Sequence, residues 1–141
     1  MLIHEMVEIN VEIIIDASIE KVWKFYTNAE HIKQWNNASD DWHTPRAEND
    51  LRVGGKFVYR MEAKDSSVGF DLEGEYTEIE ENEIINYTMN DGRKVRITFS
   101  NEEGKTLVSI IFDAETENSI EMQKEGWQAI LNNFKRYIES N

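Results

Sequence analysis

The chain has 141 residues and no cysteine, and its 28 acidic and 15 basic side chains give a formal charge of −13. The missing cysteines exclude disulfides and thiolate metal sites. The acidic balance argues against nucleic acid and anionic membrane surfaces as partners, because both normally require a basic face.

The first part of the chain is predicted to form a strand and two short helices. Apolar and polar residues alternate from Val7 to Ile15, which indicates a strand with one polar face. Ser18 or Asp16 can then cap a helix over 18–27, where apolar residues recur at helical spacing. A second short helix is predicted over 28–34, and the polar residues that follow Trp35 predict a loop.

A series of strands is predicted from Trp42 to about Thr116. Short turn sequences separate the alternating segments, so neighbouring strands are expected to be antiparallel. The apolar positions of these segments are predicted to share one face of the sheet: Phe57, Tyr59, Met61, Phe70, Leu72, Tyr76, Ile85, Tyr87, Met89, Val95, Ile97, Phe99, Val108, Ile110 and Phe112.

The period changes near the end of the chain, where Asn118 or Ser119 can begin a helix of about twenty residues, roughly 30 Å long. Its apolar stripe consists of Ile120, Trp127, Ile130, Leu131, Phe134 and Ile138. Gly126 interrupts this stripe at a cost of roughly 1 kcal/mol relative to alanine. Close approach of the sheet, a bend or room for a ligand would each explain it, as would simple tolerance of a weak position.

The widths of these elements predict a gap between them. A helix with its side chains is about 10–12 Å wide, whereas six or seven strands at about 4.8 Å spacing form a much wider surface. The sheet must therefore curl around the helix or leave a cavity beside it. The expected fold class is α+β: a curved antiparallel sheet of six or seven strands wrapped on a long C-terminal helix, with residues 1–141 forming a single domain.

Four segments resemble those of one known family. The segments are Asp16–Trp23 (DASIEKVW), Asp50–Phe57 (DLRVGGKF), Gly74–Ile79 (GEYTEI) and Gly126–Leu131 (GWQAIL). Together they resemble the activator-of-heat-shock-protein-ATPase-like (AHSA-type) branch of the START-like helix-grip superfamily, also called SRPBCC. The resemblance implies a helix-grip fold with a hydrophobic pocket between the sheet and the long helix. Superfamily members carry lipids, bind hormones, cyclise polyketides or serve as parts of oxygenases.

Aromatic and apolar side chains are the candidate ligand-binding residues. We expect the pocket to be lined by Trp35, Trp42, Phe57, Tyr59, Met61, Phe70, Tyr76, Tyr87, Phe112, Trp127 and Leu131. A few polar groups in such an apolar cleft orient a ligand, and the tyrosine hydroxyls fit that role.

The candidates for catalysis are weaker. His43, beside Asp40 and Asp41, could act as a general acid or base at the pocket mouth, although a surface position is favoured. His4 and His31 belong to no metal-binding motif, so neither a metal nor a cofactor is expected.

The arginines are expected to be solvated. Arg52 and Arg60 could supply charge at the pocket rim, but a solvated strand face is favoured for both. The best candidate for a basic patch, Arg93 with Lys94 and Arg96, is expected to be one solvated strand.

Three functions follow from these patterns together with the family resemblance, which alone implies the second. The first is binding of an apolar, amphipathic or lipid-like small molecule without catalysis. The second is a protein-interaction module related to the chaperone ATPase activator, with a chaperone as a partner. The third is a hydrolase or cyclase acting on a hydrophobic substrate in the cavity. Homodimerisation through a strand edge is compatible with all three.

A cytoplasmic location is expected, because neither a signal peptide nor a membrane-spanning segment is recognised in the sequence.

Overall fold

The computed structural model describes residues 7–141, so His4 and Glu5 lie outside the described residues. Its elements in chain order are β1 (Glu8–Ile15), α1 (Ile19–Thr27), α2 (Ala29–Trp35), β2 (Trp42–Asn49), β3 (Lys56–Ala63), β4 (Gly69–Glu80), β5 (Ile84–Met89), β6 (Lys94–Glu102), β7 (Lys105–Asp113) and α3 (Ile120–Glu139). Within this part of the chain, every helix is too short or too polar to traverse a lipid bilayer.

The strands form one curled antiparallel sheet in the order β1-β7-β6-β5-β4-β3-β2. The predicted α+β helix-grip fold is therefore confirmed, and the sheet has seven strands. The proline of the chain, Pro45, lies in edge strand β2, where the pairing shifts between His43 and Arg46. An edge position tolerates proline because the missing N–H is not needed for a second ladder.

The helix boundaries follow their capping residues. The Ser18 hydroxyl accepts from the Lys21 N–H, and the Asn28 side chain accepts from the Glu30 N–H at the start of α2. The Ser119 hydroxyl accepts from the Met122 N–H, so α3 begins at Ile120, the residue after Ser119, as predicted.

The predicted apolar stripe of α3 needs one correction, since Ile120 is exposed. The buried position in the first turn of α3 is instead taken by Gln123. The Gln123 amide bonds the backbone of Glu115 and Asn118, which joins the β7–α3 loop to the helix.

The long helix covers only part of the sheet. Helix α3 packs most closely along β1 and against α1 and α2. On the helical side, Phe134 lies between Trp35 and Tyr26, with ring centroids 4.8 and 5.3 Å away. Strands β3 to β5 lie farther from α3, and a space remains between them and the helix.

Candidate functional site

A cavity of about 250 Å³ occupies the space between α3, the end of α1 and the concave face of the sheet. Most of the predicted ligand-binding residues line it: Trp35, Phe57, Tyr59, Met61, Phe70, Tyr76, Tyr87, Trp127 and Leu131. Trp42 and Phe112 do not. Trp42 packs behind Phe70, with ring centroids 6.1 Å apart, and Phe112 is covered by Trp127.

Other lining residues were not among the predicted site residues. They are Tyr26, Thr27, Asn36, Leu72, Ile85, Met89, Arg93, Ile97, Ile110 and Ile130. The strand residues in this set lie on the same alternating face as the predicted ones, so the period itself could have identified them. Thr27 and Asn36 carry no such signal, because they lie at helix ends whose position depends on tertiary packing.

A glycine shapes the floor of the cavity. Gly74 of β4 pairs with Phe57 of β3, and a Cβ added to Gly74 would lie 2.8 Å from Phe57 Cε1. The missing side chain therefore lets the Phe57 ring lie across β4. From there the ring contacts Tyr59, Tyr76 and Tyr87, at centroid distances of 4.8, 5.4 and 4.7 Å.

The roof is formed by α3. Trp127 stacks on Phe112, and Ile130 and Leu131 follow on the same side of the helix. A Cβ added to Gly126 would meet nothing within 4 Å, so close approach of the sheet does not explain that glycine.

One tyrosine hydroxyl ties the cavity wall to α1. Tyr76 donates to Asn49 Oδ1 at 2.5 Å, and Asn49 Nδ2 donates to the backbone oxygen of Thr27 at 2.7 Å. Burial raises the pKa of Tyr76 to about 12, despite hydrogen bonds from its neighbours that oppose the rise. The phenol is therefore neutral at physiological pH and acts as a donor.

Three further tyrosines line the cavity. Burial raises the pKa of Tyr26, Tyr59 and Tyr87 well above the ordinary value, so all three remain protonated. The Tyr59 hydroxyl faces that of Tyr76. Within residues 7–141, neither Tyr26 nor Tyr87 makes a side-chain hydrogen bond, which leaves their hydroxyls available to a ligand or to water.

Arg93 brings the positive charge to this site. Its guanidinium Nε donates to Asp91 Oδ2 at 2.8 Å, and 20% of its side chain remains exposed. The expectation of a solvated strand is wrong for Arg93, because this residue precedes β6 and its side chain lines the cavity. Lys94 and Arg96 are exposed, as expected.

The entrance lies on the side where β4 begins. Phe70 is the most exposed residue of the lining, with 48% of its surface accessible. Leu72, two residues further along the strand, is half-buried. Exposure thus falls from Phe70 inward, and we take this side as the route into the cavity.

The structure does not bring the catalytic candidates to the cavity. His43 Nε2 lies 3.8 Å from Glu62 Oε1 of the neighbouring strand, and 43% of the His43 side chain is exposed. Asp41 accepts from the Ser39 hydroxyl at 2.5 Å, a bond that lowers the pKa of this exposed carboxyl. Asp40 is exposed as well.

The other predicted rim charges are paired with neighbours. Arg60 Nε donates to Glu62 at 2.8 Å, and its Nη1 lies 3.5 Å from Asp71. Arg52 donates to Asp50. Across residues 7–141, no three His, Cys, Asp or Glu side chains are arranged to hold a metal ion.

Comparisons with known proteins agree on the family. The family model described as "Activator of Hsp90 ATPase homolog 1-like protein" matches residues 16–139. An AHSA1-like protein from Aeromonas hydrophila superposes with a TM-score of 0.89 at 45% identity, over 95% of this chain and 93% of that one. A protein from Cytophaga hutchinsonii superposes at 0.83 and 48% identity, with the same coverage. No curated protein matches the chain significantly.

A more distant neighbour is described as a dimer. The Aha1 dimer from Colwellia psychrerythraea has a TM-score of 0.77 at 20% identity, covering 95% of this chain and 97% of that one. At this level of identity the match shows a shared fold alone.

Proposed function

Because the chain belongs to the Activator of Hsp90 ATPase homolog 1-like family and has its START-like helix-grip fold, we propose that it binds an apolar or amphipathic small molecule in the cavity, without catalysis. Family and fold support a ligand-binding or an interaction module. The observation that carries the first of these is the cavity of about 250 Å³, walled by aromatic and aliphatic side chains.

The cavity volume bounds the size of the ligand. Drug-sized ligands occupy pockets of roughly 300–1,000 Å³, so this cavity suits a smaller molecule. At about 30 Å³ for each water-sized group, it holds roughly eight such groups. A chain of about eight carbons is therefore the natural first probe.

The expected affinity is moderate. Each buried CH₂ contributes about 0.8 kcal/mol, and binding costs at least about 4 kcal/mol in lost translational and rotational freedom. Eight such groups contribute at most about 6 kcal/mol, so the dissociation constant for an eight-carbon chain should be no tighter than about 20 μM, the value before the cost of association is subtracted.

Isothermal titration calorimetry with octan-1-ol tests this function. The Leu72→Trp variant adds a large ring to a half-buried lining position and should abolish binding. The matched control is Leu107→Trp, because Leu107 is also half-buried on a strand but lies outside the cavity lining. Equal binding by both variants, or no saturable heat with the unaltered protein, would refute the cavity as the site.

Interaction with another protein is the second candidate function. The family description names an activator of the Hsp90 ATPase, and this chain exposes several large apolar side chains: Val53, Val68, Phe70, Ile120 and Met122. Phe70 also lies at the cavity entrance, so a protein partner there would close the cavity. An Hsp90 ATPase assay with and without the protein tests this function, and an unchanged rate would count against it.

Catalysis on a bound ligand is the third candidate. Among residues 7–141, the lining contains no histidine, carboxylate, lysine, serine or cysteine, so catalysis through the predicted His43 would require this side chain to turn away from Glu62. This function would be supported if the unaltered protein formed product from a bound substrate and the His43→Ala variant did not.

A further inference from the structure

The charge of the cavity lining is opposite to that of the protein. The chain carries 28 acidic and 15 basic residues, yet the cavity lining contributed by residues 7–141 includes Arg93 and no carboxylate. A desolvated charge in an apolar wall is costly unless it is paired. Asp91 pairs with this guanidinium from outside the lining, and within the lining formed by residues 7–141 the guanidinium meets no acidic group, which suits a negatively charged ligand group.

The guanidinium of Arg93 has unused donors. Asp91 takes the Nε–H, and neither Nη nitrogen makes a hydrogen bond within residues 7–141. Because guanidinium presents five N–H donors, pairing with Asp91 leaves several for a second acceptor. Asp91 also holds Arg93 in place through its bond to the Arg93 backbone N–H at 3.1 Å.

Tyr87 adds a neutral donor beside this charge. The Met89 N–H donates to the Arg93 carbonyl oxygen at 2.7 Å, and Tyr87 lies two residues before Met89 on the same face of β5. Both side chains line the cavity, and the Tyr87 hydroxyl makes no side-chain hydrogen bond in the described part of the chain. Arg93 and Tyr87 therefore line neighbouring parts of the cavity wall, where both can donate to one ligand group.

We propose that the ligand is an amphipathic carboxylate of about eight carbons, whose carboxylate binds Arg93 and the Tyr87 hydroxyl while its chain lies on Phe57, Met89 and Trp127. This inference rests on the proposed function and goes further by naming the chemical class of the ligand. Guanidinium and carboxylate form charge-assisted, often bidentate, hydrogen bonds, which favours an acid over an alcohol of the same length.

Calorimetry at pH 7 with octanoate, octan-1-ol and octylamine tests this inference. Octanoate should bind about tenfold more tightly than octan-1-ol, and octylamine should bind most weakly. Arg93→Gln should weaken octanoate about tenfold and change octan-1-ol less than twofold. Tyr87→Phe, which keeps the ring, should weaken octanoate a few-fold.

The matched control is Arg96→Gln, which removes the same charge from an exposed position of β6 outside the cavity lining. It should leave both affinities within twofold, and circular dichroism should show that each variant is folded. The carboxylate assignment would be overturned if octan-1-ol bound as tightly as octanoate and Arg93→Gln changed neither affinity or changed both equally. Binding in the cavity would stand in that case. Binding of none of the three probes would overturn both proposals.

Discussion

Trp127 of α3 lies flat on Phe112 of β7, with ring centroids 4.0 Å apart and planes 13° from parallel. This stack joins the first half of the long helix to the sheet beside the cavity. Beyond it, the helix packs on β1 and the two short helices, and the cavity remains on the other side of the Trp127 ring.

The stack should contribute measurably to stability. Replacing Trp127 with alanine removes the aromatic pair and part of the apolar contact, and we expect a loss of about 2 kcal/mol. Trp127→Phe keeps an aromatic ring over Phe112 and should lose less than half as much. Urea unfolding measures both, and equal losses for the two variants would show that the ring pair is unimportant.

Two glycines should respond oppositely to alanine. At Gly126 a Cβ meets nothing within 4 Å, so Gly126→Ala should stabilise the protein by about 0.5–1 kcal/mol through helix propensity. At Gly74 the Cβ would meet the Phe57 ring at 2.8 Å and the Thr88 backbone oxygen at 3.0 Å. Gly74→Ala should therefore destabilise by about 1–3 kcal/mol. Thermal unfolding measures the stability of both variants. A loss of stability in Gly126→Ala would contradict the conclusion that the space around a Cβ at this position is open.

The bond from Tyr76 to Asn49 should connect the cavity wall to α1. Tyr76→Phe leaves Asn49 Oδ1 without its donor, and we expect a loss of about 1–2 kcal/mol. Because Asn49 also bonds Thr27, Asn49→Ala should cost more than Tyr76→Phe. A double-mutant cycle isolates the coupling, and strictly additive losses would mean that the hydroxyl and amide act independently.

His31 should make stability depend on pH near neutrality. Burial, and then the charge of Lys24, lower the pKa of His31 below the ordinary 6.5, and His31 Nδ1 lies 2.8 Å from the Tyr137 hydroxyl. As the pH falls, His31 is protonated in the unfolded chain before it is protonated in the folded protein. The contribution of neutral His31 to the free energy of unfolding is therefore present above pH 6.5 and is lost as the pH falls through the folded pKa.

His31→Gln should flatten the stability profile between about pH 7 and pH 5. Carboxyls with lowered pKa, such as Glu139, act only below about pH 4.5 and fall outside this window. Urea midpoints at several pH values measure the profile, and the same slope in His31→Gln as in the unaltered protein would contradict the assignment.

The cavity tyrosines should resist alkali until the protein unfolds. The pKa of Tyr76 is raised to about 12, and burial raises those of Tyr59 and Tyr87 as well. Their contribution to stability is present below the unfolded value of about 10 and is lost as pH rises through the folded values. Phenolate absorbance from these residues should therefore appear together with the loss of helical circular dichroism, and its appearance in a folded protein would contradict their burial.

The alternating and helical periods predicted the fold because burial on one face imposes them on the sequence. Val11, Ile97 and Phe134 lie on their expected faces, and Ser119 caps the long helix as its side chain predicts. The cavity also followed from sequence, since the widths of helix and sheet come from backbone geometry alone.

The polar part of the site did not follow from sequence. Arg93 comes directly after the Asp91-Gly92 turn, and no periodicity states whether a turn residue points to solvent or inward. Trp42 and Phe112 were placed at the ligand because they are aromatic and on inward faces. Each instead has an aromatic neighbour between it and the cavity, which depends on tertiary packing.

The strand order has a consequence for how the chain acquires its structure. Strands β1 and β2 are close in sequence but lie at opposite edges of the sheet, and the first residue that β1 can pair with is Thr106. During synthesis the five strands from β2 to β6 can pair in succession as antiparallel hairpins. Strand β1 has no strand to pair with until β7 has left the ribosome. The side chains of Ile9, Val11 and Ile15, which are buried in the folded protein, therefore stay without their strand partner until late in synthesis.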